Sequence, residues 1–183
     1  MKNKGALNVR PMELKDIQPL ADYWLLSPAS HLVSMGVDLD KLPEREILES
    51  ALSSQLKHPI EEKKSYALIW EQDGLPIGHT NVNQIEFGKQ AYMHLHLWAA
   101  QSRQKGLGLT LVNQSLSLFF DNLNLQTIYC EPYALNPAPN KTLERLGFEF
   151  VKRHRTIPGS LNFEQDVHLW KLTRAVYLQK FRA

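Results

Sequence analysis

A glycine loop between an apolar segment and a helical segment has the clearest chemistry in this sequence. Residues 103–108 read Arg-Gln-Lys-Gly-Leu-Gly and follow the apolar pair Leu97 and Trp98. A helix that begins here presents unpaired backbone N–H groups and the positive end of its dipole, which favour a bound phosphate. Gly106 and Gly108 let the backbone approach that phosphate without a Cβ atom in the way. Arg103 and Lys105 add two positive charges to the same loop, so the pattern predicts a diphosphate-binding site.

Two better-known phosphate loops do not fit this segment. A Walker loop needs Lys and then Ser or Thr after its second glycine, but Leu109 and Thr110 follow Gly108. A dinucleotide fingerprint needs a third glycine or alanine where this chain has Leu111, and no acidic residue follows at the expected spacing. The sequence therefore argues against a nucleotide-binding switch or a kinase.

A second motif lies about thirty residues further on, in the segment 136–148. Asn136 is a candidate N-cap, Pro137 suits the first helical position, and Gly147 suits the end of the helix. From these residues alone, the segment is predicted to be a helix with clear start and stop signals.

Taken together, the two motifs resemble the GNAT family of N-acetyltransferases. That family writes its acetyl-CoA loop as Gln/Arg-x-x-Gly-x-Gly/Ala, matched at 103–108, and closes its core with Asn-x-x-Ser and then Glu-Lys-x-Gly-Phe, matched in part at 136–148. The resemblance covers about 9–174 and is greatest to the branch that includes the ribosomal-protein N-terminal acetyltransferases. Two positions depart from it. Pro139 replaces the usual Ser, and Leu143 replaces the Tyr that protonates the leaving thiolate in many members.

The resemblance implies an enzyme that moves the acetyl group of acetyl-CoA, its co-substrate, to a primary amine. Attack would be direct, in a ternary complex without a metal, and the amine would belong to a protein N-terminus or a small molecule. A non-catalytic acyl-CoA-binding sensor or interaction module with the same fold is the alternative that Pro139 and Leu143 keep open. The implied cofactor site comprises Leu97, Trp98, Arg103, Gln104, Lys105, Gly106, Leu107, Gly108, Leu109, Thr110, Asn136 and Asn140.

The segments before the glycine loop offer a catalytic base. A hairpin that turns at 88–89 would place His94 opposite Asn83 and His96 opposite Asn81, all on one face of the sheet. His96 or His94 would then accept the amine proton, directly or through water, and the two Asn residues would bind substrate. A satisfied structural network explains this polar face equally well. A shared metal ion is a weaker alternative, because no third ligand is evident.

The strand after the glycine-loop helix carries further candidates. Glu131 at its end is either an alternative base or a rim residue, and Tyr133 is the nearest replacement for the missing proton donor. Cys130 lies in an apolar run, which favours a buried structural thiol over a nucleophile. We therefore expect no acyl-cysteine intermediate.

These residues require an alternation of strands and helices to position them. The pattern predicts strands at 7–10, 66–70, 76–87, 90–99, 127–131, 148–152 and 167–172, and helices at 16–24, 44–57, 106–121 and 137–146. The predicted inward faces comprise Ile47, Leu48, Ala51 and Leu52 in one helix, and Leu109, Val112, Leu116, Phe119 and Phe120 in another. The order matches the GNAT fold, an α/β (α+β) arrangement whose mixed, mostly antiparallel sheet of about seven strands has helices on both faces. The segments 27–43, predicted as a long loop, and 158–164 should shape the acceptor site, but neither carries a diagnostic motif.

Composition sets the remaining expectations. At 183 residues the chain is expected to form one acyltransferase domain over 1–183, and its net charge of +2 does not imply nucleic acid as a partner. With a single cysteine, no membrane-length apolar run and no secretory signal, we expect a cytoplasmic protein without a membrane partner. Family members often dimerise, so a homodimer is the assembly to test.

Overall fold

The computed structural model describes residues 5–98 and 106–181 and contains one seven-stranded sheet. The strands run in the spatial order β1-β2-β3-β4-β5-β7-β6, and within the described residues only the β4–β5 pair is parallel. The predicted mixed, mostly antiparallel α/β fold is confirmed. The strands are β1 Leu7–Pro11, β2 Ser65–Gln72, β3 Leu75–Glu86, β4 Gln90–Leu97, β5 Thr127–Cys130, β6 Glu149–Thr156 and β7 Gln165–Thr173.

Helices cover both faces of the sheet. Along β2, Leu68 and Trp70 point to a core built with α4, α5 and α6, whereas Ile69 points to a smaller cluster built with α1 and α3. The predicted two-sided cover is therefore confirmed. The helices of the described residues are α1 Ile17–Leu26, α2 Ala29–Ser34, α3 Arg45–Lys57, α4 Leu107–Asn122, α5 Pro137–Leu146 and α6 Arg174–Phe181.

The buried faces of two helices differ from the prediction. Leu109 is 40% exposed, because it lies two residues from both Leu107 and Leu111, which define the buried stripe of α4. Ile47 is 61% exposed, since α3 is an outer helix that packs over the sheet through Leu52 and its neighbours rather than through a wide apolar face. Ala51, also predicted to face inward, is exposed as well.

Two α-helices, α2 and α6, were not predicted. The segment 27–43, predicted as a loop, contains α2 and a turn of 3-10 helix at Leu39–Lys41. The C-terminal α6 was missed because its buried face is narrow, with Tyr177 as its buried residue. That ring stacks on Phe120 of α4 at a centroid distance of 5.1 Å.

The β3–β4 hairpin keeps the predicted polar face but not the predicted pairs. His94 lies opposite Asn81 rather than Asn83, and His96 lies opposite His79 rather than Asn81. All five side chains still share one face, because each partner is displaced by two residues and the side-chain period of a strand is two.

Two offsets of one residue each produce this displacement. The loop comprises residues 87–89, since Glu86 pairs with Gln90, and it is therefore one residue longer than predicted. The register then shifts between Asn83 and Glu86, where Gln84 adopts a positive φ of 48°. This bulge inserts one extra residue into β3 and restores the parity that the loop alone would have reversed.

Candidate active site

The sheet opens into a cleft where β4 and β5 separate. The pairing of these strands ends at Met93 and Cys130, although β4 continues beside β3 as far as Leu97. The cleft has a volume of about 190 Å³, and Asn136 at the start of α5 lies at its wall. It is also lined by every predicted catalytic and substrate-binding residue, namely His94, His96, Glu131, Tyr133, Asn81 and Asn83.

Cys130 is hydrogen-bonded to β4 at the last residue pair before β4 and β5 separate. Its Sγ donates a hydrogen bond to the backbone oxygen of Met93 at 3.0 Å, and burial raises the pKa of the Cys130 thiol well above its usual value. The predicted burial of the Cys130 thiol is confirmed, and its lack of a nucleophilic role stays a prediction.

His79, which sequence analysis did not select, extends the polar face beneath α1. Its ring stacks on His96 at a centroid distance of 4.6 Å, and its Nδ1 accepts a hydrogen bond from Trp98 Nε1 at 2.7 Å. An indole N–H can only donate, so His79 carries its proton on Nε2 and is neutral. Burial, together with the charge that His94 would carry, lowers the pKa of His79 to about 3. Its spacing of two residues from Asn81 was the available sequence signal.

His96 is enclosed by aromatic side chains. The Trp24 ring meets it edge-on at 4.8 Å, and its Nδ1 lies 3.4 Å from the Tyr23 hydroxyl. Burial lowers the pKa of His96 well below 6.5, with smaller contributions from the neighbouring histidines. His96 is therefore neutral at physiological pH, and one of its ring nitrogens already has a neighbour.

His94 has a buried ring nitrogen to which no group of the described residues is hydrogen-bonded. Burial lowers the pKa of His94 to about 4, so the ring is neutral. Among the described residues no group pairs with its Nε2, nor with Asn83 Oδ1 or Gln165 Oε1, and all three side chains line the cleft. An unpaired buried polar atom costs about 1–3 kcal/mol, so these three atoms require a hydrogen-bonding partner beyond the described residues, such as water or a polar ligand.

Glu131 is held by a histidine that the sequence did not point to. Its Oε1 lies 2.8 Å from His154 Nε2 of β6, and its side chain is 12% exposed. Tyr133 follows two residues later and forms an isolated bridge with Val167, and its ring meets Phe163 edge-on at 6.0 Å. Both side chains lie at the cleft, and their catalytic roles stay predictions.

The second motif forms the helix that was predicted, with the same bounds. Asn136 caps α5 by accepting a hydrogen bond from the Ala138 N–H at 3.4 Å, and Gly147 ends the helix with a φ of 86°. Pro139 lines the cleft, whereas Leu143 is fully buried in the core. The position that carries the family's Tyr is therefore used here for packing.

Asn140 connects α5 to strand β7 through side-chain hydrogen bonds. Its Oδ1 accepts hydrogen bonds from Trp170 Nε1 at 2.8 Å and from the His168 ring at 3.0 Å. Its Nδ2 donates to the backbone oxygens of Asn136 and Tyr133. All four hydrogen-bonding positions of the amide are thus occupied within the chain. A cofactor contact of Asn140 stays a prediction, and it would have to replace one of these bonds.

The described part of the glycine loop begins α4. Gly106 is the N-cap and adopts a left-handed φ of 69°, Leu107 is buried, and a Cβ added at Gly108 would meet open space. The exposed Leu109 and Thr110 complete the first turn. Of the other predicted cofactor residues, Leu97 ends β4 against the main core and Trp98 donates to His79. Arg103, Gln104 and Lys105 lie outside the described residues.

Two segments that are distant in sequence meet over the cleft. Val37 forms a bridge with Asn162, whose Nδ2 donates to the Gly36 oxygen at 2.9 Å. The Asp38 N–H donates to the Leu161 oxygen at 2.8 Å. The segments 27–43 and 158–164, which were expected to shape the acceptor site, therefore form one wall.

The described ranges, 5–98 and 106–181, contain no group of three His, Cys, Asp or Glu side chains placed to hold a metal ion. They also contain no helix that is both long enough and apolar enough to cross a membrane.

Comparison with known proteins identifies the family. Residues 6–149, more than half of the chain, match the family model described as acetyltransferase (GNAT) domain. The chain belongs to the GNAT acetyltransferase family. This GNAT protein has no significant match among curated protein sequences.

Solved structures share the GNAT fold at low identity. Spermidine N-acetyltransferase from Vibrio cholerae, in complex with CoA and spermine, is 20% identical with a TM-score of 0.77, and the match covers 94% of this chain and 98% of that one. Aminoglycoside acetyltransferase AAC(6')-Ib, in complex with coenzyme A, is 18% identical with a TM-score of 0.72, and the match covers 97% and 100%. At these identities the likeness is one of fold.

Proposed function

We propose that this GNAT protein transfers the acetyl group of acetyl-CoA to a primary amine by direct attack in a ternary complex. The observation that carries the proposal is the cleft at the β4–β5 separation, whose lining residues carry three buried polar atoms without a partner among the described residues. Family membership supports it, and two proteins of the same fold have been solved with CoA. A structural network would be expected to satisfy those atoms, and within the described residues none of them has a partner.

The residues present fit acetyl-CoA at the edge of this cleft. The sixteen-residue α4 begins at Gly106 and Leu107 with the backbone N–H groups and dipole end that suit a pyrophosphate, and Gly108 keeps the approach open. We propose that Gly106–Thr110, with the cations Arg103 and Lys105, hold that group. The β4 edge beyond Met93 would pair with the pantetheine arm. The bound thioester supplies an activated acetyl group.

We propose His94 as the base that accepts the proton of the attacking amine. The amine nitrogen forms a bond to the thioester carbonyl carbon, the C–S bond then breaks, and the amine proton passes to a basic group. His94 Nε2 is neutral, buried in the cleft and unpartnered within the described residues, whereas His96 is packed against Tyr23 and Trp24. His96 and Glu131 are the alternatives.

Other cleft residues complete the proposed mechanism. Tyr133, which lines the cleft, would protonate the departing CoA thiolate. Leu143, at the position of the family's Tyr, is buried in the core and has no proton to donate. Asn81 and Asn83 would orient the amine from the face they share with His94.

A thiol-release assay with acetyl-CoA and a panel of amines tests the proposal. General base catalysis contributes about 10²–10⁴-fold, so His94→Ala should lower kcat by about that factor and leave the KM for acetyl-CoA unchanged. His96→Ala is the matched control, because it removes a ring from the same face, and it should lower kcat less. CoA binding without turnover of any amine would favour the non-catalytic module, and failure to bind CoA would refute both functions.

The finer assignments are also proposals. We propose a single domain over 1–183, located in the cytoplasm, in the branch of the ribosomal-protein N-terminal acetyltransferases, acting on a protein N-terminus or a small-molecule amine. A homodimer is supported by the exposure of nearly all of the edge strand β6, Glu149–Thr156. One protein of this fold, the Vibrio cholerae spermidine N-acetyltransferase, is described as dodecameric.

A further inference from the structure

The cleft carries almost no negative charge. Every Asp and Glu of the chain lies in the described residues, and Glu131 is the only one of them that lines the cleft. Its carboxylate is already bonded to His154 at 2.8 Å. The described lining residues also include no Lys or Arg, so the rest of the surface is neutral.

Three carboxylates near the wall of the cleft are paired within the chain. Asp38 has Lys41 at 3.7 Å and Glu164 has Arg155 at 2.9 Å, while Asp166 of β7 has Arg153 at 2.6 Å. A ligand with several ammonium groups would have to compete with these partners for the counter-charges of those three residues.

Two side chains that line the cleft carry amide oxygens without a partner among the described residues, and an amide oxygen accepts N–H groups. Gln165 is 97% buried, and its Nε2 donates to the oxygens of Gly36 and Phe163, at 2.9 and 3.1 Å, so its Oε1 is fixed as an acceptor. Asn83 Oδ1 is a second acceptor, on the hairpin face that also carries His94. Apolar side chains such as Met35 and Leu161 line the cleft between these polar positions.

From these observations, and resting on the proposed function, we infer that the acceptor is a monoamine with a neutral body that presents N–H donors besides the amine. This is the chemistry of a peptide N-terminus. A polyamine or an aminoglycoside would place its second and third ammonium groups in a cleft where Glu131 is the one carboxylate among the described lining residues, so the desolvation of the further charges is uncompensated. The inference separates this chain from the spermidine and aminoglycoside acetyltransferases whose fold it shares.

Calorimetric titration of the CoA-saturated protein tests the inference independently of turnover. The probes are a neutral tripeptide amide with a free N-terminus and spermidine. An uncompensated charge costs at least 1–3 kcal/mol, so the tripeptide should bind about ten-fold or more tightly than spermidine. Equal or tighter binding of spermidine, or no binding of the tripeptide, would overturn the inference, even if acetyl transfer is observed. A failure of the proposed function would appear separately, as absence of turnover.

A variant with one added negative charge in the cleft provides the second experiment. Ser160 is exposed on the wall of the cleft, so Ser160→Asp adds a carboxylate without disturbing the core. One new ion pair near the surface is worth about 1 kcal/mol, which should raise the ratio of spermidine to tripeptide affinity about five-fold. Ser160→Asn, of the same size but neutral, should leave this ratio near that of the wild type. Equal ratios in the two variants would contradict the electrostatic reasoning.

Discussion

Substitution of Gly36 by alanine should damage both the stability and the acceptor site of the protein. Gly36 follows α2 with a left-handed φ of +84°, and an added Cβ would overlap Oε1 and Nε2 of Gln165. That side chain is buried and donates to the Gly36 oxygen, so it has no room to move without losing its hydrogen bonds. The substitution therefore acts on the backbone and on one wall of the cleft together.

The magnitude follows from two contributions. A left-handed conformation costs an alanine about 1–2 kcal/mol relative to glycine. Displacement of Gln165 breaks its bonds to Gly36 and Phe163, each worth about 1 kcal/mol net. We therefore expect Gly36→Ala to lower the free energy of unfolding by about 3–4 kcal/mol.

Gly74 is the matched control. It has a similar φ of +78°, in the turn between β2 and β3, but nothing lies within 4 Å of an added Cβ. Gly74→Ala should therefore lose only the backbone contribution, about 1–2 kcal/mol. Urea unfolding of both variants measures the difference, which should appear as a lower midpoint at an unchanged slope.

Activity provides a second readout for the same pair. Displacement of Gln165 should raise the KM for the amine in Gly36→Ala and leave the KM for acetyl-CoA unchanged, while Gly74→Ala should change neither. Equal losses of stability in the two variants would refute the assigned contact between Gly36 and Gln165. An unchanged amine KM in Gly36→Ala would refute the role of Gln165 in the acceptor site.

Two further predictions concern the buried polar side chains. The pKa of His79 is about 3 in the folded state and 6.5 in the unfolded chain, so its contribution is complete above pH 6.5 and is lost as the pH falls below that value. Because of His79, the free energy of unfolding should fall by about 2 kcal/mol between pH 7 and pH 5. In His79→Asn this free energy should depend less steeply on pH. Parallel pH profiles of the wild type and the variant would contradict the burial of a neutral His79. Asn140→Ala should cost about 2–4 kcal/mol in urea unfolding because four hydrogen bonds lose their partner. Thr142→Ala, at a half-buried position whose hydroxyl donates one solvent-exposed hydrogen bond to the Ala138 oxygen, should cost under about 0.5 kcal/mol. Similar midpoints for these two variants would show that the Asn140 network contributes little.

The fold was predictable where local chemistry determines it. The bounds of α5 follow from Asn136, Pro137 and Gly147, each of which has a conformational preference that acts within a few residues. The register of the hairpin was not predictable, because it depends on a bulge at Gln84, a residue type that does not signal a positive φ.

The candidate site was predictable only in the strands that carry it. Alternation along the hairpin selected His94 and Asn83 correctly as sharing a face, and it should also have selected His79. Gln165 and His154 were missed because their positions depend on pairings of β6 and β7 with distant segments, about which a single sequence gives no information. The sequence therefore predicts the floor of the cleft better than its walls.

The short β4–β5 ladder has a consequence for the order in which the molecule assembles. Four residue pairs, Gln90–Thr127 to Met93–Cys130, join one antiparallel half-sheet, β1 to β4, to another, β5, β7 and β6. Each half contains hairpins of low sequence separation, whereas the parallel junction requires the whole intervening helix α4 to be placed first. We expect the hairpins β2–β3–β4 and β6–β7 to form early and β5, which pairs with both of its neighbours over long sequence separations, to join last, so that pulse-labelled amide exchange protects β3 and β4 before β5. The catalytic cleft would then arise only in the final step of folding, and simultaneous protection of all three strands would contradict this order.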